Sequence, residues 1–224
     1  MLYFIVYRNT ILNMVITVGS TKGGVGKSTI ACNLAVESSL AKIETLLVDA
    51  DIQGSSLSFR STRGQDDIQA VAITTPTLHK DLKKFERQYG LILIDAGGRD
   101  NAVFRSALIA CDMLLIPVRP SQYDVWAAND TIKLLEEART YKEIPAYFVI
   151  NQATNTKIAR GAIEAMGSFS GNAATLKSTL FLRVAYESSI VLGKGVSEYE
   201  PKGKAAEEMK ALYREVVKKG KLCK

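Results

Sequence analysis

The sequence predicts an α/β fold in which a mostly parallel, doubly wound sheet carries helices on both of its faces. Short, continuously apolar runs, such as residues 45–48 and 91–94, are typical of strands that are buried on both faces of a parallel sheet. These runs alternate with segments of helical periodicity, which implies right-handed crossovers within one sheet. The 224 residues contain no internal repeat, low-complexity tract or linker, so we expect a single domain.

A glycine-rich turn links the first predicted strand, residues 15–18, to a helix that we expect over residues 27–41. Such a turn points backbone N–H groups inward, so it can surround phosphate oxygens beside a positive helix N-terminus. Lys27 would reach the β- and γ-phosphates, and the Ser28 hydroxyl would ligate Mg²⁺. Compared with G-x-x-x-x-G-K-[ST], Thr21 replaces the first glycine and a second lysine follows it. The predicted phosphate-binding residues of this P-loop are Lys22, Gly23, Gly24, Val25, Gly26, Lys27, Ser28 and Thr29.

This turn carries a resemblance to a known family. Residues 22–29, K-G-G-V-G-K-S-T, resemble the deviant P-loop K-G-G-x-G-K-[ST] of the ParA/MinD family of ATPases, and the resemblance extends over residues 14–217. It implies that Lys22 reaches across a dimer interface to the phosphates of ATP bound by the partner subunit. A cation supplied in this way stabilises charge on the transferring phosphoryl group, as an arginine finger does. Closure of the dimer would then depend on ATP.

The second predicted strand, residues 45–48, ends in two carboxylates, Asp49 and Asp51. Side chains at the carboxyl ends of parallel strands lie where open α/β sheets bind ligands. The segment D-A-D-I-Q resembles the family's D-x-D-P-Q switch segment, with Ile52 in place of the proline. The resemblance implies that Asp49 helps to hold hydrated Mg²⁺ and that Asp51 positions or activates the attacking water.

A third carboxylate, Asp95, ends the apolar run 91–94 and is followed by two glycines at 97–98. An apolar run that ends in Asp is the pattern of a Walker B strand, whose carboxylate orients Mg²⁺. The glycines resemble the family's second switch, where they can reorient near a γ-phosphate. The resemblance therefore implies ATP and Mg²⁺ as cofactors. The predicted catalytic residues are Lys22, Lys27 and Asp51, and the predicted metal ligands are Ser28, Asp49 and Asp95.

Three later segments also match the family. Residues 116–121 resemble its I-P-V-x-P-S segment, and residues 193–199 resemble its G-x-x-V-x-E/D-Y segment. Asn151, at the end of the predicted strand 146–150, matches the asparagine that contacts adenine, although asparagine also commonly ends strands because it favours turns. Asn151 is therefore a candidate nucleotide-binding residue.

The remaining segments give structural expectations. We expect a surface helix over residues 77–89, a short strand over residues 180–183, and a final helix over residues 204–219 that docks on the core. Trp126 is expected to serve packing rather than function, and His79 is expected to lie on the surface.

The net charge of +6 is concentrated near the C-terminus, where residues 202–224 contain eight Lys or Arg and three Glu. This asymmetry indicates a polyanionic partner, either nucleic acid or anionic lipid. From charge alone, a solvated helix with a basic end explains the pattern equally well.

The three cysteines, Cys32, Cys111 and Cys223, are scattered, odd in number and without the spacing of a metal site. They favour a reducing cytosol over a disulfide framework. Electron-transferring relatives of nitrogenase iron protein need paired cluster-ligating cysteines. After Asp95 the chain has only Cys111 and, in the tail, Cys223, which do not form such a pair, so the sequence argues against that class.

The first 13 residues form a separate question, because Met14 lies where chains of this family usually begin. Residues 2–7 are apolar but lack the basic region and the small-residue cleavage site of a signal peptide. The extension 1–13 is a start-site extension, an added edge strand, or a membrane or partner contact. Residues 14–224 then form the ATPase domain, in which no run is long enough to span a membrane.

The resemblance implies a ParA-type partition ATPase for plasmid or chromosome segregation, located in the cytoplasm on the nucleoid. ATP would close a homodimer that binds non-specific double-stranded DNA, and a ParB-type centromere-binding partner would stimulate an intrinsically slow hydrolysis of ATP. Phosphate contacts are salt-sensitive and need basic side chains. The candidates are Arg183 and Lys194, by position in the family, and then Lys210, Arg214, Lys218 and Lys219 of the final helix.

The alternative is a MinD-like membrane-associated ATPase or another cargo-positioning ATPase. A MinD-type membrane contact needs a C-terminal amphipathic helix with bulky apolar residues. The tail 217–224 is basic and contains a glycine, and Leu222 is its single apolar anchor. This composition argues against a membrane partner unless the apolar residues 2–7 supply the contact. A metabolic P-loop synthetase or kinase is a further alternative, for which we find no substrate-specific motif.

Overall fold

The computed structural model describes residues 13–98, 101–154, 156–165 and 172–222. Residues 1–12 of the extension and Cys223 lie outside the described residues. Within the described part, seven strands form one sheet in the order β3-β2-β4-β1-β5-β6-β7, and every pairing is parallel. The strands are β1 Met14–Gly19, β2 Thr45–Asp49, β3 Gln69–Ala72, β4 Leu91–Ala96, β5 Met113–Val118, β6 Ala146–Ala153 and β7 Ala174–Phe181.

Helices cover both faces of this sheet, which confirms the predicted α/β fold class. A 3-10 turn at Leu82–Lys84 follows the third helix. The helices of the described residues are α1 Lys27–Leu40, α2 Ser55–Thr62, α3 Leu78–Asp81, α4 Asn101–Ala110, α5 Gln122–Arg139, α6 Lys157–Ala165, α7 Val184–Val191, α8 Val196–Tyr199 and α9 Lys204–Leu222.

The central strands are apolar throughout because both of their faces are buried. In β2, Leu46 and Val48 join the core beneath α4 and α5, whereas Leu47 joins the core beneath α1 and α9. Successive residues of a strand point to opposite faces, so a strand with helices on both sides needs apolar residues at every position. This is the physical reason for the uninterrupted apolar runs.

Strand β1 lies at the centre of the sheet, between β4 and β5. From β1 the chain passes through α1 to β2 on one side, and from β4 it crosses through α4 to β5 on the other side. Such a reversal of strand order opens a crevice at the carboxyl ends of the strands. The loop after β1 occupies this crevice.

The predicted helix over residues 77–89 is wrong in extent. The structure has only the short α3 and the 3-10 turn in this region. Leu78 and Leu82 are fully buried. Most of the residues from 83 to 89 are exposed, and the others are half-buried. These two leucines anchor the segment in the core. The exposed residues that follow have helical propensity, but that propensity alone does not hold them in a continuous helix.

Two further expectations need correction. The strand expected over residues 180–183 is instead the longer β7, Ala174–Phe181. Because β7 lies at the edge of the sheet, several of its residues are polar and exposed, so it lacks the continuous apolar run of the central strands. Trp126, for which packing was predicted, is 58% exposed and packs edge-to-face on Tyr123 at the surface. His79 is half-buried, and its Nδ1 is bonded to the Ser106 hydroxyl at 2.8 Å.

Candidate active site

The loop between β1 and α1 has the backbone shape that its glycines allow. Gly24 (φ 73°) and Gly26 (φ 89°) adopt left-handed conformations, and Gly26 directly precedes α1. A Cβ at Gly26 would collide with the Asn151 amide. A Cβ at Gly23 or Gly24 would meet no atom within 4 Å, so this part of the loop faces open space. A phosphate group can approach the loop from that side.

Lys27 bridges the loop. Its Nζ donates to the backbone carbonyl of Lys22 at 2.9 Å. Burial lowers the pKa of Lys27, while the charges of Asp95 and Asp51 act in the opposite direction. The ammonium is therefore held inside the turn by the Lys22 carbonyl, which a phosphate oxygen can replace as its acceptor.

The start of the loop is fastened to helix α5. The Thr21 N–H donates to the Thr131 hydroxyl at 3.1 Å, and the two threonine hydroxyls lie 3.1 Å apart. The next residue, Lys22, is half-buried, and its backbone N–H donates to Ser20 Oγ. These contacts fix the backbone of the loop just before Gly23 and Gly24, which face open space. Its predicted contact with a partner subunit stays a prediction.

Asp95 is buried near the end of β4. Its Oδ2 accepts a hydrogen bond from the Ser56 hydroxyl at 2.7 Å, whereas its Oδ1 accepts none from the described residues. Burial raises the pKa of Asp95 to about 6, and the nearby hydroxyls of Ser28 and Ser56 lower it. A buried oxygen without a partner is costly, which indicates that a bound group completes the site.

Asp49 has a different environment from Asp95. It is fully buried, and its Oδ2 accepts the N–H groups of Ser56 (2.9 Å) and Leu57 (3.0 Å) in the first turn of α2. Its Oδ1 accepts the N–H of Asp51 at 3.1 Å. Both oxygens thus hold backbone in place, a role that sequence reasoning missed. The predicted role of Asp49 as a metal ligand stays a prediction.

Ser56 is the site residue that sequence reasoning missed altogether. Its N–H donates to Asp49 and its hydroxyl donates to Asp95, so one serine connects two of the predicted metal ligands. A serine within the polar segment after β2 gives no local signal of this role.

Asp51 lies against the loop that follows β4. Its Oδ1 accepts the Gln53 N–H at 3.0 Å, and a Cβ at Gly97 would collide with its carboxylate. A Cβ at Gly98 would collide with the backbone of Thr21. Both glycines are therefore required for three loops to meet. The loops after β1, β2 and β4 form one contiguous surface at the carboxyl ends of the strands.

The donor set fits a magnesium ion bound together with phosphates. No group of three or more His, Cys, Asp or Glu among the described residues could hold a metal by itself. Mg²⁺ usually keeps several waters and binds one or two carboxylates and substrate phosphates. The unpaired Oδ1 of Asp95, beside the Ser28 hydroxyl and Asp49, suits that arrangement.

Asn151 supports the loop from below. It is buried at the end region of β6, and its Nδ2 donates to the carbonyl of Val25 at 2.8 Å. The sequence predicted an adenine contact for this residue. That role stays a prediction, and the structure adds that the side-chain amide holds the loop between β1 and α1.

The six candidate DNA contacts fall into different environments. Arg183 forms an ion pair with Glu208, with Nε 2.8 Å from Oε1, and its guanidinium lies 5.5 Å from the centre of the Phe181 ring. Its charge is thus largely paired within the protein. Lys194 is exposed, whereas Lys219 lies over the Tyr147 ring at 5.2 Å.

A basic stripe runs along the outer side of α9. Lys210, Arg214, Lys218 and Lys221 recur every three or four residues, a spacing that places them on one side of a helix. Arg214, Lys218 and Lys221 are exposed, and Lys210 is half-buried and donates to the Pro201 carbonyl. We call these four residues the basic stripe. None of the helices in the described part is both long and apolar enough to cross a bilayer.

A family comparison agrees with this geometry. Residues 16–219 match the model of the CobQ/CobB/MinD/ParA nucleotide binding domain. The chain belongs to the ParA/MinD family of ATPases.

Relatives and solved structures extend this result. A maintenance of carboxysome distribution protein A from Halothiobacillus neapolitanus is 30% identical over 213 residues, covering 90% of this chain and 95% of that protein. The chromosome-partitioning ATPase Soj of Treponema pallidum is 25% identical and covers 88% of this chain and 94% of that protein. An ATP complex of Cyanothece McdA has the same fold, with a TM-score of 0.73 at 16% identity, covering 94% and 97% of the two chains.

Proposed function

We propose that this ParA/MinD-family ATPase positions or partitions a cargo by using DNA as its matrix. ATP closes a homodimer, the dimer binds double-stranded DNA without sequence preference, and a cargo-bound partner stimulates hydrolysis and release. The observation that supports DNA as the matrix is the basic stripe on α9. Repeated cations on one helix face suit the regularly spaced phosphates of a duplex.

The proposed chemistry assigns a role to each side chain of the site. Lys27 and the loop N–H groups bind the phosphates, and Ser28 and Asp95, together with Asp49, would hold Mg²⁺. When bound, Mg²⁺ would neutralise negative charge on the phosphates. Asp51 orients the water that attacks the γ-phosphoryl group.

Binding to random-sequence duplex DNA, measured with ATP and with ADP across a salt series, tests the proposal. We expect ATP-dependent binding that weakens steeply as salt rises. Charge reversal at Arg214 or Lys218 should weaken binding and reduce the salt slope by about 1 for each phosphate that the variant no longer binds. ATP binding and hydrolysis should remain.

Lys133→Glu is the matched control. Lys133 is 72% exposed on α5, which packs on the opposite face of the sheet from α9. We expect the Lys133→Glu variant to bind DNA as the unmodified protein does. An absence of DNA binding in both nucleotide states contradicts the proposal and directs attention to anionic liposomes.

Two versions of this function differ in the cargo that is moved. The Halothiobacillus relative is named for carboxysome distribution, whereas the Treponema relative is named for chromosome partitioning. The first covers slightly more of both chains at higher identity, which favours a cargo other than DNA. A ParB-type centromere-binding partner belongs to the second version. To distinguish the two versions, the partner is captured with this protein and purified, and the rate of ATP hydrolysis is measured with and without it. The version whose type of partner stimulates hydrolysis is supported.

A further inference from the structure

Two helices that start at the nucleotide-binding loops reach the same short segment of the chain. Helix α1 starts directly after the loop at Gly26, and α2 starts after the loop that carries Asp51. Residues 193–199, which include α8, contact both helices. We call residues 193–199 the relay segment.

The contact with α1 is a buried hydrogen bond. The Val196 N–H donates to Oδ1 of Asn33 at 2.8 Å. Gly195 packs so closely on Val36 that a Cβ there would collide with the valine side chain. The relay segment therefore follows the position of α1, and through α1 that of the phosphate-binding loop.

The contact with α2 is a network around Arg63, the residue after its last turn. The Arg63 side chain is 1% exposed. Its two terminal nitrogens each donate to one oxygen of Glu198 at 2.8 Å, and Nη1 also donates to the Gly193 carbonyl at 3.0 Å. Its remaining N–H groups donate to Asp67 at 2.7 Å.

The other end of α2 is bound to the carboxylates of the site. Asp49 accepts two N–H groups from its first turn, and Ser56 donates from α2 to Asp95. An eight-residue helix is thus attached at one end to predicted metal ligands and at the other end to the relay segment. A short helix with both ends bonded moves as a unit.

An exposed apolar face continues from the relay segment. Val184 and Val191, on α7, are 77% and 73% exposed, and Leu192 follows them. The Lys194 N–H donates to the Ser189 carbonyl of α7, so the relay segment and α7 are joined through the backbone. A shift of the relay segment would displace this face.

We propose that the relay segment transmits the nucleotide state of the site to the exposed face of α7, with Arg63 as the positioning residue. The inference rests on the proposed ATP-driven switch. Binding of a ligand at Asp95 shifts α2 relative to α1, because Ser56 of α2 is bonded to Asp95. The relay segment is bonded to both helices, so it moves when their relative position changes. Two sites that share one element in this way bias each other reciprocally.

Hydrogen exchange on the full chain, compared between ADP and a non-hydrolysable ATP analogue, tests the proposal. In the unmodified protein we expect a nucleotide-dependent difference over residues 20–30 and over residues 184–199. The Val196 amide reports directly on the bond to α1. Arg63→Lys cannot form the bidentate pair, and Glu198→Gln removes its charge, so each should abolish the difference over 184–199 and keep that over 20–30.

Arg60→Lys is the matched control, because Arg60 lies on the same helix and pairs with Asp66, which is exposed. It should keep both differences. Thermal unfolding checks that each variant is folded. If Arg63→Lys is not folded, the hydrogen-exchange result for Glu198→Gln decides the test.

Three results would overturn the relay. A difference over 20–30 without one over 184–199 in the unmodified protein rejects it and leaves the proposed function intact. A difference that persists over 184–199 in the folded variants rejects the role of Arg63. An absence of any difference over 20–30 rejects the proposed nucleotide switch, and the relay with it.

Discussion

Three aspartates at the strand ends have different roles, although the sequence presents each of them simply as an acid after an apolar run. Asp49 uses both oxygens to hold backbone N–H groups. Asp95 is bonded through one oxygen and keeps the other unpaired within the described structure. Asp51 lies against Gly97, beside the open side of the loop. Of the three, Asp95 therefore has the buried oxygen that a metal-bound group would satisfy.

The ion pair of Arg63 predicts a pH dependence of stability. Hydrogen bonding by the Arg63 guanidinium holds the pKa of Asp67 at about 2, below its ordinary value of 3.8. Because this pKa is lower in the folded than in the unfolded chain, the pair stabilises fully above about pH 4 and loses this contribution as the pH falls towards about 2.

We expect Asp67→Asn to lower the free energy of unfolding at about pH 5 and to approach the unmodified protein at about pH 2.5. Denaturant titrations at both pH values measure the difference. Asp66→Asn is the control, because its exposed pair with Arg60 contributes little at either pH. A difference for Asp67→Asn that is equal at both pH values would contradict this account.

Among the helices, α2 is held by polar contacts at its two ends and by few apolar ones. Ser56 and Phe59 are its buried residues. An eight-residue helix is too short to be stable by itself, so its position depends on the groups that bond it. This arrangement suits an element that shifts when a ligand reaches the carboxylates.

Ser56→Ala tests this dependence. Removal of the hydroxyl leaves Oδ2 of Asp95 without its donor, so we expect a loss of about 1–3 kcal/mol in the free energy of unfolding. Ser58→Ala, in which an exposed hydroxyl that donates to the Gly54 carbonyl is removed, should cost less. Denaturant titration measures both variants. Equal losses would mean that the bond to Asp95 is not what holds α2.

Across the whole molecule, the sheet brings distant loops together. The loops after β1, β2 and β4 are adjacent only because these strands are neighbours in the order β2-β4-β1. The three loops meet through Gly97 and Gly98, and Lys22 is half-buried next to Gly23 and Gly24, which face open space. The predicted role of Lys22 requires a second subunit that covers this open part of the loop.

We therefore expect Lys22→Ala to bind ATP and to remain a monomer, whereas Lys27→Ala should lose ATP binding. Asp51→Ala should form a lasting dimer with ATP, since its hydrolysis is blocked. Mass measurement in solution with ATP and with ADP separates these outcomes. Lys133→Ala, an exposed lysine of α5, should dimerise normally. A normal ATP-dependent dimer in Lys22→Ala would reject the role of Lys22 across the interface.

The fold class, the glycine-rich turn between β1 and α1 and the strands that end in carboxylates could all be predicted from the sequence alone. These features are local, because a turn that needs glycine or a strand buried on both faces constrains its own residues. Family resemblance added the candidate roles of Lys22, Asp51 and Asn151.

How these residues are connected could be read only from the folded chain. The bonds from Ser56 to Asp95, from Asn151 to Val25 and from Arg63 to Glu198 join residues that are 39, 126 and 135 positions apart. Such contacts depend on which strand ends are neighbours, and no local pattern records that order. Burial likewise depends on what packs from outside, which is why Trp126 is exposed and Asp49 is fully buried.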